Sequence, residues 1–423
     1  MLEKIRLKYQ NNFTWIYTSK YVLYALILSA ISILIDTKFT GIHKYVPYYL
    51  LTSRSLAQTI LSSLVSAIIT ITTFTFSTTM VVLTMYSSQF SPRVVENFLS
   101  EKTTLKVLGI FMGGFFYSIT ALLFMKNADE NQMFISATIG VIYAIVCLIH
   151  FALFIFKVSS SIQANNLIAK LFEEAGESIK TSVDEHGQYV VKSYIEKEEY
   201  RNTYIMHSNR NGYVQSISHD MILSKITLEN SVVEMKIKNG DFIVLGQPIA
   251  KIYTNEELID EEEENLIDEV NKCVVVDKAR NITYDYMFAI QKIVDITLRA
   301  ISPGINDPNT AIECINILGV LLSKMSKESG KICIRENKKF NTKIVYGYFD
   351  FKNDIYNTFY QIVTYGKEDV SVVIAILKAL ENITYYASKE NISAVNDIKE
   401  YVLNKTEGNF KNKIDIDKIK EYL

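Results

Sequence analysis

The stretch IITITTFTFSTTMVVLTMYSSQFSPR, residues 68–93, indicates a membrane helix of unusual composition, because it is apolar enough to cross a membrane yet rich in hydroxyl side chains. At about 100° per residue, positions 55, 59, 62, 66, 70, 73, 77, 80, 84 and 88 share one helix face. Those positions hold Ser55, Thr59, Ser62, Ser66, Thr70, Thr73, Ser77, Met80, Thr84 and Ser88, so nine of ten carry a hydroxyl. We call this face the hydroxyl stripe. Fifteen Ser or Thr residues lie between positions 55 and 88, and random placement would put only about four of them on it.

The hydroxyl stripe has two physical interpretations. Small hydroxyl residues can form a close-packed seam between membrane helices, each donating to a carbonyl four residues earlier or to a neighbour. Alternatively, several copies of the helix surround a water-filled path in which hydroxyls replace part of the hydration of an ion. In this second case Met80 is the one apolar constriction. The predicted pore-lining residues are Ser62, Ser66, Thr70, Thr73, Ser77, Met80, Thr84 and Ser88.

Four apolar segments predict four transmembrane helices, over about residues 15–35, 50–90, 105–125 and 133–156. Each reaches the roughly 20 residues that a helix needs to cross the bilayer core. Basic residues are concentrated near the N-terminus and between the second and third segments, whereas the loop KNADENQ between the third and fourth is acidic on balance. This asymmetry predicts that the N-terminus and the C-terminal half both lie in the cytoplasm.

The third and fourth segments carry two further signals. Gly109, Gly113 and Gly114 are predicted helix-packing residues, because small side chains one turn apart let helices approach closely in lipid. His150 is the one ionisable candidate deep in the fourth segment, and both a functional role and a neutral imidazole bonded to a hydroxyl remain open. The absence of an acid–base pair within the spans argues against a proton-coupled pump.

The whole-chain composition excludes several classes of function. A formal charge of −2 over 423 residues is not that of a nucleic-acid-binding protein. The four cysteines are widely spaced, which indicates free thiols in a reducing compartment. No G-x-G-x-x-G, P-loop, H-E-x-x-H or G-x-S-x-G motif occurs. We therefore expect no enzymatic activity, no cofactor and no metal site.

The second half of the chain reads as an α+β cytoplasmic domain. Alternating apolar residues predict strands within residues 204–253, with Asn239–Gly240 as a hairpin-type turn. This part resembles the half-barrel "hammerhead" of biotinyl and lipoyl carrier domains, but its tip, KIKNGD, lacks a recognisable carrier lysine, so we expect no covalent cofactor. The run NEELIDEEEENLIDEVN, residues 255–271, predicts an acidic amphipathic helix, which is either a solvated face or an attractor of cations.

The segment SPGINDP, residues 302–308, separates two predicted helices over about residues 284–300 and 308–325. Asp307 followed by Pro308 is a typical helix start, which favours a structural turn. The alternative is a ligand site, because a helix N-terminus suits an anion and carboxylates suit a cation. The candidate ligand-binding residues are Asp285, Asp295, Asn306 and Asp307.

Three long stretches carry a resemblance to a known family. They are SSQFSPRVVENFLSEKTTLKVLGIFMGGFFYSI (residues 87–119), GYVQSI followed by VVEMKIKNGDFIVLGQPIAKI, and QKIVDITLRAISPGINDPNTA (residues 291–311). Together they resemble, in the same order, a bacterial membrane-protein family known as domain of unknown function 2254. The resemblance implies a multi-span N-terminal region joined to a soluble C-terminal region, and it implies no reaction.

These observations predict four regions: a transmembrane domain (1–158), a stalk helix and linker (159–203), a β-rich hammerhead-like subdomain with the acidic helix (204–275), and a mainly helical cytoplasmic domain (276–423). We predict an oligomeric ion channel or channel-like permease of the bacterial inner membrane that conducts cations and has a regulatory cytoplasmic domain. Its partners would be the lipid bilayer, further copies of itself and the permeating ion, with no nucleic acid. The alternatives are a membrane-anchored sensor or scaffold without transport, or a membrane-bound enzyme that uses the SPGINDP loop.

Overall fold

The structure, a computed structural model, describes residues 13–39, 41, 45–89, 102–125, 132–161, 164–191, 200–328 and 332–422. The chain divides into two compact units, Met1–Asn166 and Leu167–Leu423. Residues 90–101, which include most of the SSQFSPR signature, lie outside the described residues.

The described part of the first unit is built on four long helices: α1 (Phe13–Thr37), α2 (Arg54–Gln89), α3 (Lys102–Phe124) and α4 (Ser136–Ser161). Each contains a stretch that is long and apolar enough to cross a membrane: Trp15–Thr37, Arg54–Met85, Lys102–Phe124 and Ser136–Ser160. The four predicted spans are thus confirmed as candidate membrane helices. With 36 residues, α2 extends about 54 Å at 1.5 Å per residue, so it is longer than the bilayer core.

The loops that precede α2 and α4 meet at one end of this unit. There β1 (Thr52–Ser53) pairs with β2 (Met133–Phe134) in antiparallel register. Asp36, buried at the end of α1, accepts hydrogen bonds from the backbone N–H groups of Ile135 and Ser136 at 2.9 and 3.1 Å. These amides begin α4 and have no partner within that helix, so the carboxylate caps the helix and joins it to α1.

The three glycines of α3 lie against neighbouring helices of the same chain. A Cβ built on Gly109 would lie 2.8 Å from the carbonyl oxygen of Thr18 in α1. One built on Gly113 would lie 2.6 Å from the Tyr143 hydroxyl of α4 and 2.8 Å from the Cβ of Ala25 in α1. Only a residue without a side chain permits such an approach.

The second unit begins within α5 (Ala164–His186) and contains two sheets. The strand order of the larger sheet is β3-β10-β11-β6-β8-β4, and that of the smaller is β7-β5-β9. The strands are β3 (Val190–Val191), β4 (Asn202–His207), β5 (Gly212–Ile217), β6 (Val232–Met235), β7 (Phe242–Ile243), β8 (Pro248–Thr254), β9 (Val274–Asp277), β10 (Ile332–Asn337) and β11 (Thr342–Gly347). The larger sheet takes strands from both sides of residue 275, because β11 pairs in parallel with β6.

Helices surround these sheets and form the C-terminal end of the unit. They are α6 (His219–Lys225), α7 (Asp260–Cys273), α8 (Tyr286–Ala300), α9 (Pro308–Ser326), α10 (Phe351–Gly366), α11 (Val370–Tyr386), α12 (Lys389–Thr406) and α13 (Lys413–Lys420). Helix α9 packs closely on α11: a Cβ built on Gly319 of α9 would lie 3.0 Å from the Cβ of Ala379 in α11. Many of the buried apolar side chains of this unit lie on α8 to α12.

The predicted hairpin at Asn239–Gly240 is wrong, although the turn itself is present. Gly240 has a φ of +89°, which favours glycine, and the turn is closed by a bond from the Asp241 N–H to the Lys238 carbonyl. The strands on either side do not pair with each other, because β6 pairs with β8 and β11 whereas β7 pairs with β5. Local alternation could not distinguish a hairpin turn from one that leads into a different sheet.

Candidate functional site

The hydroxyl stripe of α2 faces away from the rest of the first unit. All ten of its positions are exposed. The buried positions of α2 are Ala57, Leu61, Ile68, Thr75, Thr79 and Val82. At about 100° per residue these two sets are centred about 190° apart on the helix. Because α2 packs on α3 and α4 through the buried set, no described helix of the same chain covers the stripe.

The hydrogen bonds of the stripe run back into the α2 backbone. Hydroxyl donors reach carbonyls four residues earlier: Thr59 to Ser55 (2.9 Å), Ser66 to Ser62 (3.2 Å), Thr70 to Ser66 (2.9 Å) and Thr84 to Met80 (2.9 Å). Each hydroxyl that donates its proton in this way keeps its oxygen lone pairs as acceptors. The exposed face therefore presents oxygen acceptors without any fixed charge.

Apolar side chains lie on both sides of the stripe. Phe74, Phe76 and Val81 are all more than half exposed, as expected for side chains that contact lipid. Met80, within the stripe, is 48% exposed. The outer surface of α2 therefore consists of one polar face between two apolar ones.

His150 contacts the backbone of its own helix in the structure. Its Nδ1 atom lies 2.9 Å from the carbonyl oxygen of Val146. Its described partner is thus a carbonyl rather than a hydroxyl, so this histidine adds no group to the stripe.

The SPGINDP segment forms a capped turn. Asp307 accepts hydrogen bonds from the backbone N–H of Thr310 at 3.1 Å and from its hydroxyl at 2.6 Å, so it caps α9 as predicted. The bonds from Thr310 also lower the pKa of Asp307. Asn306 has a φ of +51°, and the Asp307 N–H bonds the Ala300 carbonyl at 2.8 Å. These contacts account for the turn without a ligand.

A separate cavity of about 300 Å³ lies within the second unit. Of the four predicted ligand-binding residues, Asp285 lines it, whereas Asp295, Asn306 and Asp307 do not. Its walls come from α5, β5, α6, the 237–241 turn, α8 with the residues just before it, β11 and α10. Asp285 caps α8 by accepting from the Phe288 N–H at 3.0 Å, and it forms a two-point ion pair with Arg280 at 2.7 and 3.0 Å. Gly240 packs directly on this carboxylate, since a Cβ there would lie 2.4 Å from Oδ2.

Three titratable groups around the cavity have strongly shifted pKa values. Burial, with the charge of Arg335 acting in the same direction, lowers the pKa of His186 to about 4 and that of His219 to about 3. Burial raises the pKa of Asp354 to about 6, although nearby Lys238 and a bond from the Tyr286 hydroxyl at 2.9 Å oppose the shift. Both imidazoles are therefore neutral near pH 7, while Asp354 is mostly ionised there and becomes protonated as the pH falls through about 6.

Sequence reasoning missed this cavity because its residues are dispersed along the chain. The lining residues come from six segments between Ser182 and Gln361 and form no local motif. The described residues contain no group of three or more His, Cys, Asp or Glu side chains that could hold a metal ion. All four cysteines are buried and free.

Comparison with known proteins places the chain among uncharacterised relatives. It is 23% identical over 327 residues to an uncharacterised protein of Mycobacterium bovis and, with the same identity and length, to one of Mycobacterium tuberculosis. Each match covers 77% of this chain and 63% of the relative, so the chain spans less than two thirds of these proteins. No solved structure matches the chain. The family described as "Predicted membrane protein (DUF2254)" matches residues 11–382, and the chain therefore belongs to this family.

Proposed function

We propose that the protein is an oligomeric channel or channel-like permease that conducts cations along the hydroxyl stripe of α2. The observation that carries this proposal is the exposure of all ten stripe positions in the single chain. A seam within one subunit would be buried, so the stripe faces lipid, another copy or water. Lipid gives no reason to place hydroxyls at nine of ten positions on one face while apolar residues cover its flanks.

Oligomerisation follows from the width of the stripe. A face about 80° wide cannot enclose a path by itself. Several copies arranged around an axis would bring their stripes together, as symmetric membrane oligomers do. The path would then be lined by hydroxyl oxygens, with a ring of Met80 side chains at its apolar constriction.

Cation preference follows from the hydrogen bonds of the stripe. The hydroxyl protons of Thr59, Ser66, Thr70 and Thr84 are donated to backbone carbonyls, so their oxygens are left to face the path. Oxygen acceptors replace the hydration shell of a cation, as carbonyl rings do in selective channels. An anion would need donors, which these hydroxyls have already used.

The proposal also includes the orientation of the protein in the membrane and the role of the second unit. The first unit would lie in the bacterial inner membrane with its N-terminus and the second unit in the cytoplasm, as the distribution of basic residues predicts. The strands between residues 204 and 275 would form the hammerhead-like part of a non-enzymatic regulatory domain. The acidic first turn of α7, in which Asp260, Glu261 and Glu262 are exposed, suits a solvated surface there.

A membrane-anchored sensor or scaffold is the second candidate, and one observation favours it. Hydroxyls that bond their own helix also occur in close-packed seams between membrane helices. In that arrangement the stripes of two copies would pack face to face, and no solute would cross.

Ion flux into proteoliposomes separates these two functions. Purified protein would be reconstituted with a potassium-sensitive dye, and flux compared for wild type, Ser66→Trp and Ala67→Trp. Ser66 lies at the centre of the stripe, whereas Ala67, also small and exposed, lies about 100° away on the helix. A channel predicts flux in wild type and Ala67→Trp and its loss in Ser66→Trp. No wild-type flux, or equal flux in both variants, would refute the proposal.

A further inference from the structure

We propose that the cavity of the second unit binds a small organic cation, a molecule with an ammonium group on a compact carbon frame. The proposal does not depend on conduction by the first unit, because it concerns a site formed wholly by residues 182–361. At about 300 Å³ the cavity has the size of small-ligand sites in proteins.

The charge balance of the cavity favours a cation. Two cationic side chains line it, Lys238 and Arg280, against the three carboxylates of Asp241, Asp285 and Asp354. The lowered pKa values of the two lining histidines keep them neutral, so they add no positive charge. The lining therefore carries a net negative charge when the three carboxylates are ionised.

Arg280 is not available to bind an anion. Its Nε and Nη2 atoms donate to the two oxygens of Asp285, and its Nη1 atom donates to Gln291 at 3.0 Å. A two-point pair of this kind is among the strongest hydrogen-bonded contacts in proteins. The guanidinium thus acts as part of the wall, and the other lining cation, Lys238, faces the carboxylate of Asp354.

The cavity lining also contains hydrogen-bond acceptors that a cation could use. Asp354 is 1% exposed and accepts the Tyr286 hydroxyl through Oδ2. The side-chain oxygen of Asn239 is buried and has no hydrogen-bond partner among the described residues. A buried acceptor without a donor is costly, and an ammonium group supplies donors for both side chains.

Aromatic walls fit the carbon frame of such a ligand. Tyr286, Tyr346, Tyr348 and Tyr360 all line the cavity. Aromatic rings attract cations through their quadrupole and provide apolar surface for methyl or methylene groups. A bare metal ion would not need this volume or these rings, and no metal-binding cluster lies among the described residues.

The site also predicts a pH signature. Asp354 is faced by Lys238 from the 237–241 turn, by Tyr286 and Asp285 from α8, and by Asp350 at the start of its own helix. Its raised pKa of about 6 means that it is mostly ionised at pH 7.5 and mostly protonated at pH 5. Only the ionised form attracts a cation, so affinity should fall as pH decreases. Asp241, whose pKa is also raised by burial, would change in the same direction.

Calorimetric titration of the full-length protein in detergent tests the site, with ethanolamine and putrescine as probes and inorganic phosphate as the anionic comparison. We expect at least one amine to bind, with affinity about tenfold lower at pH 5 than at pH 7.5. Asp354→Asn should remove the part of the pH dependence of amine binding that comes from Asp354. It should also weaken binding at least tenfold at pH 7.5, while keeping an acceptor for Tyr286. Lys238→Gln removes a lining positive charge and should make amine binding tighter.

Asp397→Asn is the matched control, because Asp397 is an exposed carboxylate paired with Lys352 outside the cavity. It should leave binding unchanged, and the melting temperatures of all variants would confirm folding. Failure of both amines to bind wild type, or phosphate binding that Lys238→Gln abolishes, would overturn the proposal. Because this assay measures binding without flux, its failure would be distinguishable from failure of the proposed channel.

Discussion

Helices α2 and α3 each carry a row of small side chains at helical spacing, but the two rows face opposite surroundings. In α3, Gly109, Gly113 and Gly114 lie against α1, α4 and α2 so closely that an added Cβ would come within 2.8 Å of a neighbouring atom at each. In α2, the ten stripe positions are all exposed. Glycine removes the side chain so that helices can touch, whereas the stripe keeps an oxygen at nearly every position. Small size alone therefore does not define a packing seam.

The largest effect should come from filling the buried row. Gly109→Leu would push a side chain onto the backbone oxygen of Thr18 and the Cβ of Tyr21, with a cost of about 3 kcal/mol from overpacking. Ser66→Leu, on the exposed row, should change stability by less than about 0.5 kcal/mol. Unfolding of the purified protein in mixed micelles would measure both. Equal costs would show that the stripe is as tightly packed as the glycine row.

Adding charge to the stripe should have a large effect on transport. Ser77→Lys would place an ammonium in a path proposed for cations, and we expect cation flux to fall by at least about tenfold through like-charge repulsion. Ser77→Gln, similar in length but neutral, separates charge from size. If both substitutions reduce flux equally, steric blockage and not the charge preference of the stripe explains the result.

Removing single hydroxyls should have the smallest effects, and again the two helices should differ. In α3, Thr120 contacts the Ser29 hydroxyl of α1 at 2.5 Å, and Thr120→Val should cost about 1 kcal/mol. In α2, Thr84 bonds only its own helix among the described contacts, and Thr84→Val should cost less than about 0.5 kcal/mol. Melting temperatures of both variants would check the order, and the reverse order would contradict it.

The sequence predicted the four membrane helices from the length of their apolar segments, and the single face of the stripe from residue spacing, because both depend only on residues within one helix. The Asp307 cap was predictable for the same reason. The direction in which the stripe faces was not, since it depends on which face of α2 packs on α3 and α4. The cavity was also out of reach, because Asn239, Asp285 and Asp354 meet only after distant segments fold together.

Cysteine accessibility along α2 distinguishes a stripe that faces water from one that faces lipid or another helix. All four native cysteines are buried, so single cysteines introduced at Ser66, Thr73 and Ser77 can be compared with ones at the exposed off-stripe positions Ala67 and Phe74. Protein in liposomes would be treated with a charged, water-soluble thiol reagent. We predict rapid labelling at the stripe positions and slow labelling at the other two, because only the stripe contacts water. Absence of labelling at the stripe, or equal labelling at all five positions, would contradict a water-filled path along the stripe.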